Sequence, residues 1–327
     1  MASIREVAKL AGVSPATVSR VINGTANVDV QKAQRVYDAI KKTGFVPNEV
    51  ARSLFKKSAK IIGLIIPSIT NPFFTELADA VEKAADEIGF RIVYYNTDNN
   101  LKKEKNAISM LQAMNAEGII ITSNNSRLKD VVDKMNMKVV MIDRTMSEDS
   151  SNMLVTSDHY YGGRLAARHL IDCGCRNIVC VRGKQTISSA RDRYRGYRDV
   201  CEESGIKLHK IESPYGFTFD NNLVEDILKE CPEVDGVFAC NDMVALQIYK
   251  QFYNRGIDVP EKVMLVGFDD VMLSKLVTPE LTTISQPIED MGRAAVRMLT
   301  EADMFDGTQK MAVFKPELKV RETTRCH

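Results

Sequence analysis

Two hydrophobic rhythms divide the chain. In the first, Ile4, Val7, Ala8 and Ala11 fall at i, i+3, i+4 and i+7, one face of a helix, and Gly12 follows as a residue able to turn left-handed without steric cost. Ser14 caps a second predicted helix and Pro15 suits its first position; Val18, Val21 and Ile22 face inward, leaving Ala16, Thr17, Ser19, Arg20 and Asn23 outward. Asp29 caps a third, with Ala33, Val36, Tyr37 and Ile40 as its inner face and Gly44 at its end. After Ala59 the rhythm becomes short apolar runs: Ile61–Ile66, Arg91–Tyr95, Gly118–Thr122, Lys138–Ile142, Asn177–Val181, Gly236–Ala239 and Val263–Val266. These read as buried parallel strands. Between them Phe73, Leu77, Val81, Ala84 and Ile88 keep helical spacing, as do stretches around Ala107–Met114, Gly162–Leu170 and Val244–Tyr253. Strand then helix, repeated, specifies doubly wound α/β sheets, and this many strands in 327 residues calls for two subdomains.

Charge adds a contrast that the hydrophobic pattern does not show. Residues 1–60 carry 11 Lys or Arg against 4 Asp or Glu, while the remainder carries 33 against 39. A basic head on a mildly acidic body suits a polyanion-binding module attached to something with a different task. No uncharged run near the N-terminus resembles a signal peptide and no stretch reaches bilayer-spanning length, so the chain is expected in the cytoplasm. Its seven cysteines, an odd number, are expected as reduced thiols rather than a disulfide framework.

Two short helices joined through Gly12 and braced by a third form a helix-turn-helix unit, whose second helix enters the major groove of DNA. The segments IREVAKLAGVSPATVSRVINGTANV and GFVPNEVARSL closely resemble the head of the LacI/GalR family of bacterial transcription repressors, and the resemblance runs along essentially the whole chain. It implies an all-α helix-turn-helix head over residues 1–46, a hinge and linker over 47–60, and an α/β periplasmic-binding-protein-like body of two doubly wound subdomains over 61–327. By the same resemblance Pro15, Ala16 and Arg20 inspect base edges, and Ser14, Thr17, Ser19, Asn23, Asn48, Ala51 and Arg52 belong to the DNA-contacting set. Of the three base-inspecting residues, only Arg20 is suited to a bidentate contact with guanine; Pro15 and Ala16 depend on apolar contact. Asn48–Phe55 reads as a helix too short to be stable alone. The resemblance implies that two such hinges order side by side in the minor groove, Leu54 acting as the apolar wedge.

For the body the resemblance places the lobe crossings near Ser157–Tyr160, Pro287–Asp290 and Val320. One lobe would then comprise about 61–158 with 291–320, the other about 159–289 with 321–327. Ligands of open α/β sheets bind beyond the C-terminal ends of the strands. The residues there are Asn71, Phe73, Phe74, Asp143, Arg144, Arg193, Phe217, Asn241, Asp269 and Gln286. Carboxylates, guanidinium groups and amides beside aromatic faces suit a sugar, whose hydroxyls they bind and whose C–H side the rings cover. Structural readings stand beside these: ion pairs at Asp143–Arg144, core phenylalanines, and Asn71 as a helix cap. Together NPFF, DR, ARDRYRGY, ND, GFDD and the Gln before Pro287 resemble the contact positions of periplasmic ribose-binding proteins and of the family's ribose operon repressors. Ribose is the expected effector; Thr122-Ser123-Asn124 departs from that pattern and leaves another pentose, or a hexose such as allose, open. A catabolite-control regulator answering to a phosphorylated carrier protein is the alternative.

Other signals point nowhere specific. His169, Cys173, Cys175 and Cys180 lack a CxxC pair, so no metal is expected. Ser157, Asp158 and His159 lack the geometry of a triad, and no GxSxG or phosphate-cradling loop occurs, so neither an enzyme nor a cofactor is expected. The final segment Lys319–His327 has no leucine heptads, which favours a homodimer over a tetramer.

Overall fold

The computed structural model describes residues 2–24, 28–45, 59–146, 153–213, 220–301 and 310–326. The chain forms two compact units, 1–59 and 60–327. In the first, α1 (Ile4–Ala11) opens with a capping box: Glu6 N–H donates to Ser3 Oγ, and Ser3 N–H donates to Glu6 Oε2 at 2.6 Å. Gly12, at φ +66°, ends it in the left-handed conformation. α2 (Pro15–Asn23) is capped by Ser14, whose Oγ accepts from Thr17 N–H, and α3 (Val30–Thr43) by Asp29, which accepts from Lys32 N–H. Val7, Ala8, Ala11, Val18, Val21, Val36 and Ala39 close the core. Tyr37, expected inside, is 53% exposed, because Val36 and Ala39 set the inward face and Tyr37 lies one step around the helix from it. The hinge expected over 47–60 lies almost wholly outside the described residues, and with it Asn48, Ala51, Arg52 and Leu54.

The body runs β1 (Ile61–Ile66), α4 (Pro72–Glu87), β2 (Arg91–Asn96), α5 (Leu101–Ala113), β3 (Gly118–Ile121), the short α6 (Lys129–Val132), β4 (Lys138–Ile142) and β5 (Met153–Ser157). It continues through α7 (His159–Asp172), β6 (Ile178–Arg182), α8 (Ser188–Glu203), β7 (His209–Glu212), α9 (Leu223–Glu230), β8 (Gly236–Ala239), α10 (Asp242–Asn254), β9 (Met264–Asp269) and β10 (Thr282–Ser285). It ends with α11 (Ile288–Thr300), β11 (Met311–Phe314) and β12 (Glu317–Lys319). One sheet has the order β11-β5-β4-β3-β1-β2 and is parallel throughout; the other has the order β12-β10-β9-β8-β6-β7. The runs IIGLII and GIII are buried because helices cover both faces of the first sheet.

α11 returns to the first sheet, placing Met291, Ala295, Val296 and Leu299 in the core with Ile62, Leu64 and Leu77. The third crossing was expected near Val320 but falls between Phe314 and Glu317. There β12 joins the second sheet antiparallel to β10, with Ile284 opposite Leu318, so 317–319 belong to the second lobe and that sheet is not wholly parallel. Ile88, expected on the inner face of α4, lies just past its last turn and is exposed. The thiols also depart from expectation: Cys173 and Cys326 are joined across 153 residues, while Cys175, Cys180, Cys201, Cys231 and Cys240 are free and buried.

Candidate functional site

In the head, the fold turns one side of α2 outward. Val18 and Val21 are fixed in the core, so the 3.6-residue period leaves Ser14, Pro15, Ala16 and Arg20 exposed and Thr17 and Ser19 half-buried. The Ser14 and Thr17 hydroxyls share a hydrogen bond of 2.9 Å. A short helix with a polar outer stripe, seated on a bundle by its apolar side, has the form of a recognition helix.

In the body, the two lobes turn the C-terminal ends of their strands toward one cleft. It is lined by Asn71, Phe73, Phe74, Asp143, Arg144, Ser189, Arg193, Asn241 and Asp269. The cleft has a volume of about 240 Å³, part of it open to solvent. Asn71 and Asn241 each cap the helix that follows, accepting from Phe73 N–H at 3.1 Å and Val244 N–H at 2.7 Å. Both structural and cleft readings therefore hold for Asn71, as they do for Phe73 and Phe74, which join the core of the first lobe and also line the cavity.

The charged groups are the unusual part. Asp143, Arg144, Arg193 and Asp269 are each 5% exposed or less. Buried charges are expensive to desolvate, and their attraction repays this only with good geometry. Arg193 supplies much of that geometry: its Nη1 donates to Cys240 O at 2.7 Å and lies 3.2 Å from Asp269 Oδ1. Its Nη2 lies 3.9 Å from Asp143 Oδ1, and its guanidinium sits 3.7 Å from the centre of the Phe268 ring. Arg144 Nε is 3.2 Å from Asp143 Oδ2, and its guanidinium covers Phe74.

His159 joins the two acids' environment. Arg193 Nε donates to its Nδ1 at 3.3 Å, which requires a lone pair there, so the ring proton sits on Nε2, 3.2 Å from Asp143 O and 3.4 Å from Asp143 Oδ1. Burial and the neighbouring Arg193 charge hold the imidazole below its ordinary pKa, against the pull of Asp143. For Asp143 burial pushes upward, but His159, Arg144 and Arg193 together outweigh it and keep the carboxyl below its usual range. Burial pushes Asp269 up to about 7, Asp143 adding to the rise while Arg193 and Gln286 oppose it.

Two observations mark this cluster as more than a structural ion-pair network. Asp143 and Asp269, each at the end of a strand, hold positive φ angles of +67° and +120°, a backbone strain of order 1–3 kcal/mol each that clusters at ligand sites. Gln286 donates from Nε2 to Asp269 at 2.7 Å while its buried Oε1 accepts from nothing, and Asp143 Oδ1 likewise lacks a hydrogen bond. Such orphaned acceptors fit a hydroxyl-bearing ligand. Eight of the ten residues read from the sequence thus line the cleft; Gln286 stands behind Asp269, and Phe217 lies outside the described residues. Sequence reading missed Ser189 and set His159 aside. Ser189 directly precedes ARDRYRGY, and that adjacency was the available signal.

A helix-turn-helix head and a two-lobed body with a polar cleft define a ligand-responsive DNA-binding regulator. The description "Bacterial regulatory proteins, lacI family" matches residues 3–48, and "Periplasmic binding protein-like domain" matches residues 167–324. The ribose operon repressor of Halalkalibacterium halodurans is 37% identical over 99% of this chain and 98% of its own. A periplasmic binding protein/LacI transcriptional regulator from Alkaliphilus metalliredigens, solved with D-xylulofuranose, is 31% identical with a TM-score of 0.74 over 81% of this chain and 99% of its own. The lac repressor dimer, solved with operator and the anti-inducer ONPF, is 25% identical with a TM-score of 0.87 over 99% of both chains. The chain belongs to the LacI family of bacterial transcriptional repressors. Among the described residues no helix is long and apolar enough to cross a membrane.

Proposed function

We propose that this repressor is a homodimer controlling a sugar-utilisation operon, that it occupies a palindromic operator through two heads, and that D-ribose releases it. The observation that carries the reading is the cleft: two carboxylates, two guanidinium groups and two amides, nearly all buried, beside two phenylalanines packed edge to face and acceptors without donors. A polyhydroxyl ring satisfies that set; a flat purine leaves much of it unpaired. The full-length similarity to a ribose operon repressor supports ribose among the sugars, and the lac repressor dimer on its operator supports the two-fold assembly.

In this reading Asp143 and Asp269 accept sugar hydroxyls, Arg144 and Arg193 donate to them, Asn71, Asn241 and Gln286 complete the ring's hydrogen bonds, and Phe73, Phe74 and Phe217 cover its C–H face. The sugar acts only through its different affinity for two arrangements of the lobes. On DNA, Ser14, Pro15, Ala16, Thr17, Ser19, Arg20 and Asn23 work in the major groove, while Asn48, Ala51, Arg52 and Leu54 serve the hinge in the minor groove.

Calorimetry of the full chain with D-ribose, D-allose and a phosphorylated carrier protein tests the effector, and gel-shift titration tests the coupling. Heat with ribose, together with weakening of the operator complex, is expected. Silence with both sugars, or a ribose-strengthened complex, overturns the reading.

A further inference from the structure

The Cys173–Cys326 pair lies beside an imidazole. His169 sits four residues before Cys173 on the same face of α7, and one ligand atom from each of His169, Cys173 and Cys326 lies within 4.8 Å of the others. His169 Nδ1 is 3.8 Å from both sulfurs. Its other nitrogen, Nε2, is 2.9 Å from Thr324 Oγ1, which pairs in turn with Thr282 Oγ1 at 2.9 Å. Among the described residues these three side chains alone form such a group.

We propose that, once the Cys173–Cys326 bond is reduced, His169, Cys173 and Cys326 bind a thiophilic divalent cation of the Zn²⁺ type. Zn–S bonds of about 2.3 Å and Zn–N bonds of about 2.0–2.1 Å at a tetrahedral angle place nitrogen and sulfur about 3.6 Å apart. Both sulfurs already stand near that distance from Nδ1. In the tautomer that donates from Nε2 to the Thr324 hydroxyl, that bond holds the ring and leaves Nδ1 as the nitrogen with a lone pair for the metal, the outer-shell arrangement usual for a metal-bound histidine. Cys173 Sγ, which stands 3.7 Å from Nε2 and 3.8 Å from Nδ1, turns toward Nδ1 once the disulfide is opened. His169 is buried, Cys173 half-buried and Cys326 exposed, so the ion has an entry path and the fourth position faces solvent, where water completes the tetrahedron.

The chemistry balances simply. A phosphine reductant supplies two electrons and leaves as phosphine oxide with oxygen from water, the two sulfurs become thiols, and cation binding displaces their two protons. Disulfide and metal are therefore mutually exclusive at these sulfurs. The site is separate from the sugar cleft, since Cys173 lies about 20 Å along the axis of α7 from His159. Its effect is to clip the segment after β12 to the far end of that helix. The sequence reading weighed His169, Cys173, Cys175 and Cys180 and set metal aside for want of a CxxC pair; Cys326, 153 residues beyond Cys173, was not in that set.

The test uses the full chain, reduced with a phosphine and titrated with Co²⁺, then with Zn²⁺ against a chromophoric chelator. A single equivalent of Co²⁺ with thiolate-to-metal charge-transfer absorption in the near ultraviolet, displaced by Zn²⁺, is expected. The absorption should be absent from the oxidised protein and from Cys326→Ser, and kept by Cys201→Ser. Thr324→Val, which removes only the outer-shell partner, should weaken Zn²⁺ binding about 10- to 100-fold. No charge-transfer band in the reduced wild type, or an undiminished band in a correctly folded Cys326→Ser, overturns the proposal. None of these readouts depends on which sugar the cleft accepts.

Discussion

Replacing Gly163 by Ala sets two opposing effects against each other. Gly163 lies inside α7, where Ala is the better helix former by about 1 kcal/mol. Propensity alone therefore predicts a more stable protein. The packing says otherwise, because a Cβ at this position would stand 2.1 Å from Arg193 O and 2.9 Å from Arg193 C on α8. The obstacle is backbone and cannot rotate away. Restoring ordinary carbon–oxygen contact requires α7 and α8 to part by roughly 1 Å, and overpacking of this kind costs typically 1–3 kcal/mol, occasionally more. With the clash at the upper end of that range, the net effect is destabilisation by about 2 kcal/mol, or roughly 4–8 °C in the midpoint of the body's unfolding. Arg193 moves with its carbonyl, so its 2.7 Å bond to Cys240 O and its 3.2 Å approach to Asp269 lengthen as well, and sugar affinity should fall with stability. Thermal unfolding followed by circular dichroism measures the first effect and calorimetry the second. An unchanged or raised midpoint would show that the helices are not held by this contact and would refute the reasoning.

Other predictions address the cleft and the hinge. Arg193→Ala should leave operator affinity in place and weaken sugar binding by at least about 30-fold, since removing one partner of a buried charge pair costs 2 kcal/mol or more; a fully sugar-responsive variant would move the site elsewhere. Asp269 has a folded-state pKa of about 7, above its ordinary 3.8, so the folded chain holds a proton there that the unfolded chain has released. That contribution to stability is present below the unfolded pKa and disappears as pH rises through 7. Asp269→Asn should therefore gain on the wild type in urea midpoint between pH 4 and pH 7 and hold its position above, whereas a gap independent of pH would contradict the shift. Leu54→Ala should lower operator affinity about 10- to 100-fold, corresponding to 1.5–3 kcal/mol of lost apolar contact, while sugar binding stays intact; a gel shift equal to wild type would remove the wedge.

What could be read from the sequence depended on how local its cause was. The caps at Ser14 and Asp29 and the stop at Gly12 were legible because each acts within four residues of the backbone it serves. The strands IIGLII and GIII were legible because burial on both faces demands an unbroken apolar run. HKIE and ELK escaped notice because each forms an edge strand with polar positions, and TTIS because its buried threonines pair with Thr323, Thr324 and Asp242 far along the chain. The cleft carboxylates followed from the strand-end rule. His159 could not, because its partners are Asp143 and Arg193, which lie 16 and 34 residues away.

In the proposed function those distant partners give the cleft a means of coupling a bound sugar to the arrangement of the lobes. Asp143 ends a strand of the first sheet and Asp269 ends a strand of the second, yet Arg193 reaches both, at 3.9 and 3.2 Å. One guanidinium thus reports the separation of two lobes. A ligand that bound the acids equally well with the lobes apart or together would shift nothing, however tightly it bound. A sugar that inserts hydroxyls between Arg193 and the two carboxylates does distinguish the arrangements, because Coulomb attraction in a buried site changes steeply over an ångström or two. The strain held at both aspartates points the same way, because such backbone persists only where the surrounding structure fixes it, which ties each carboxylate to its own lobe.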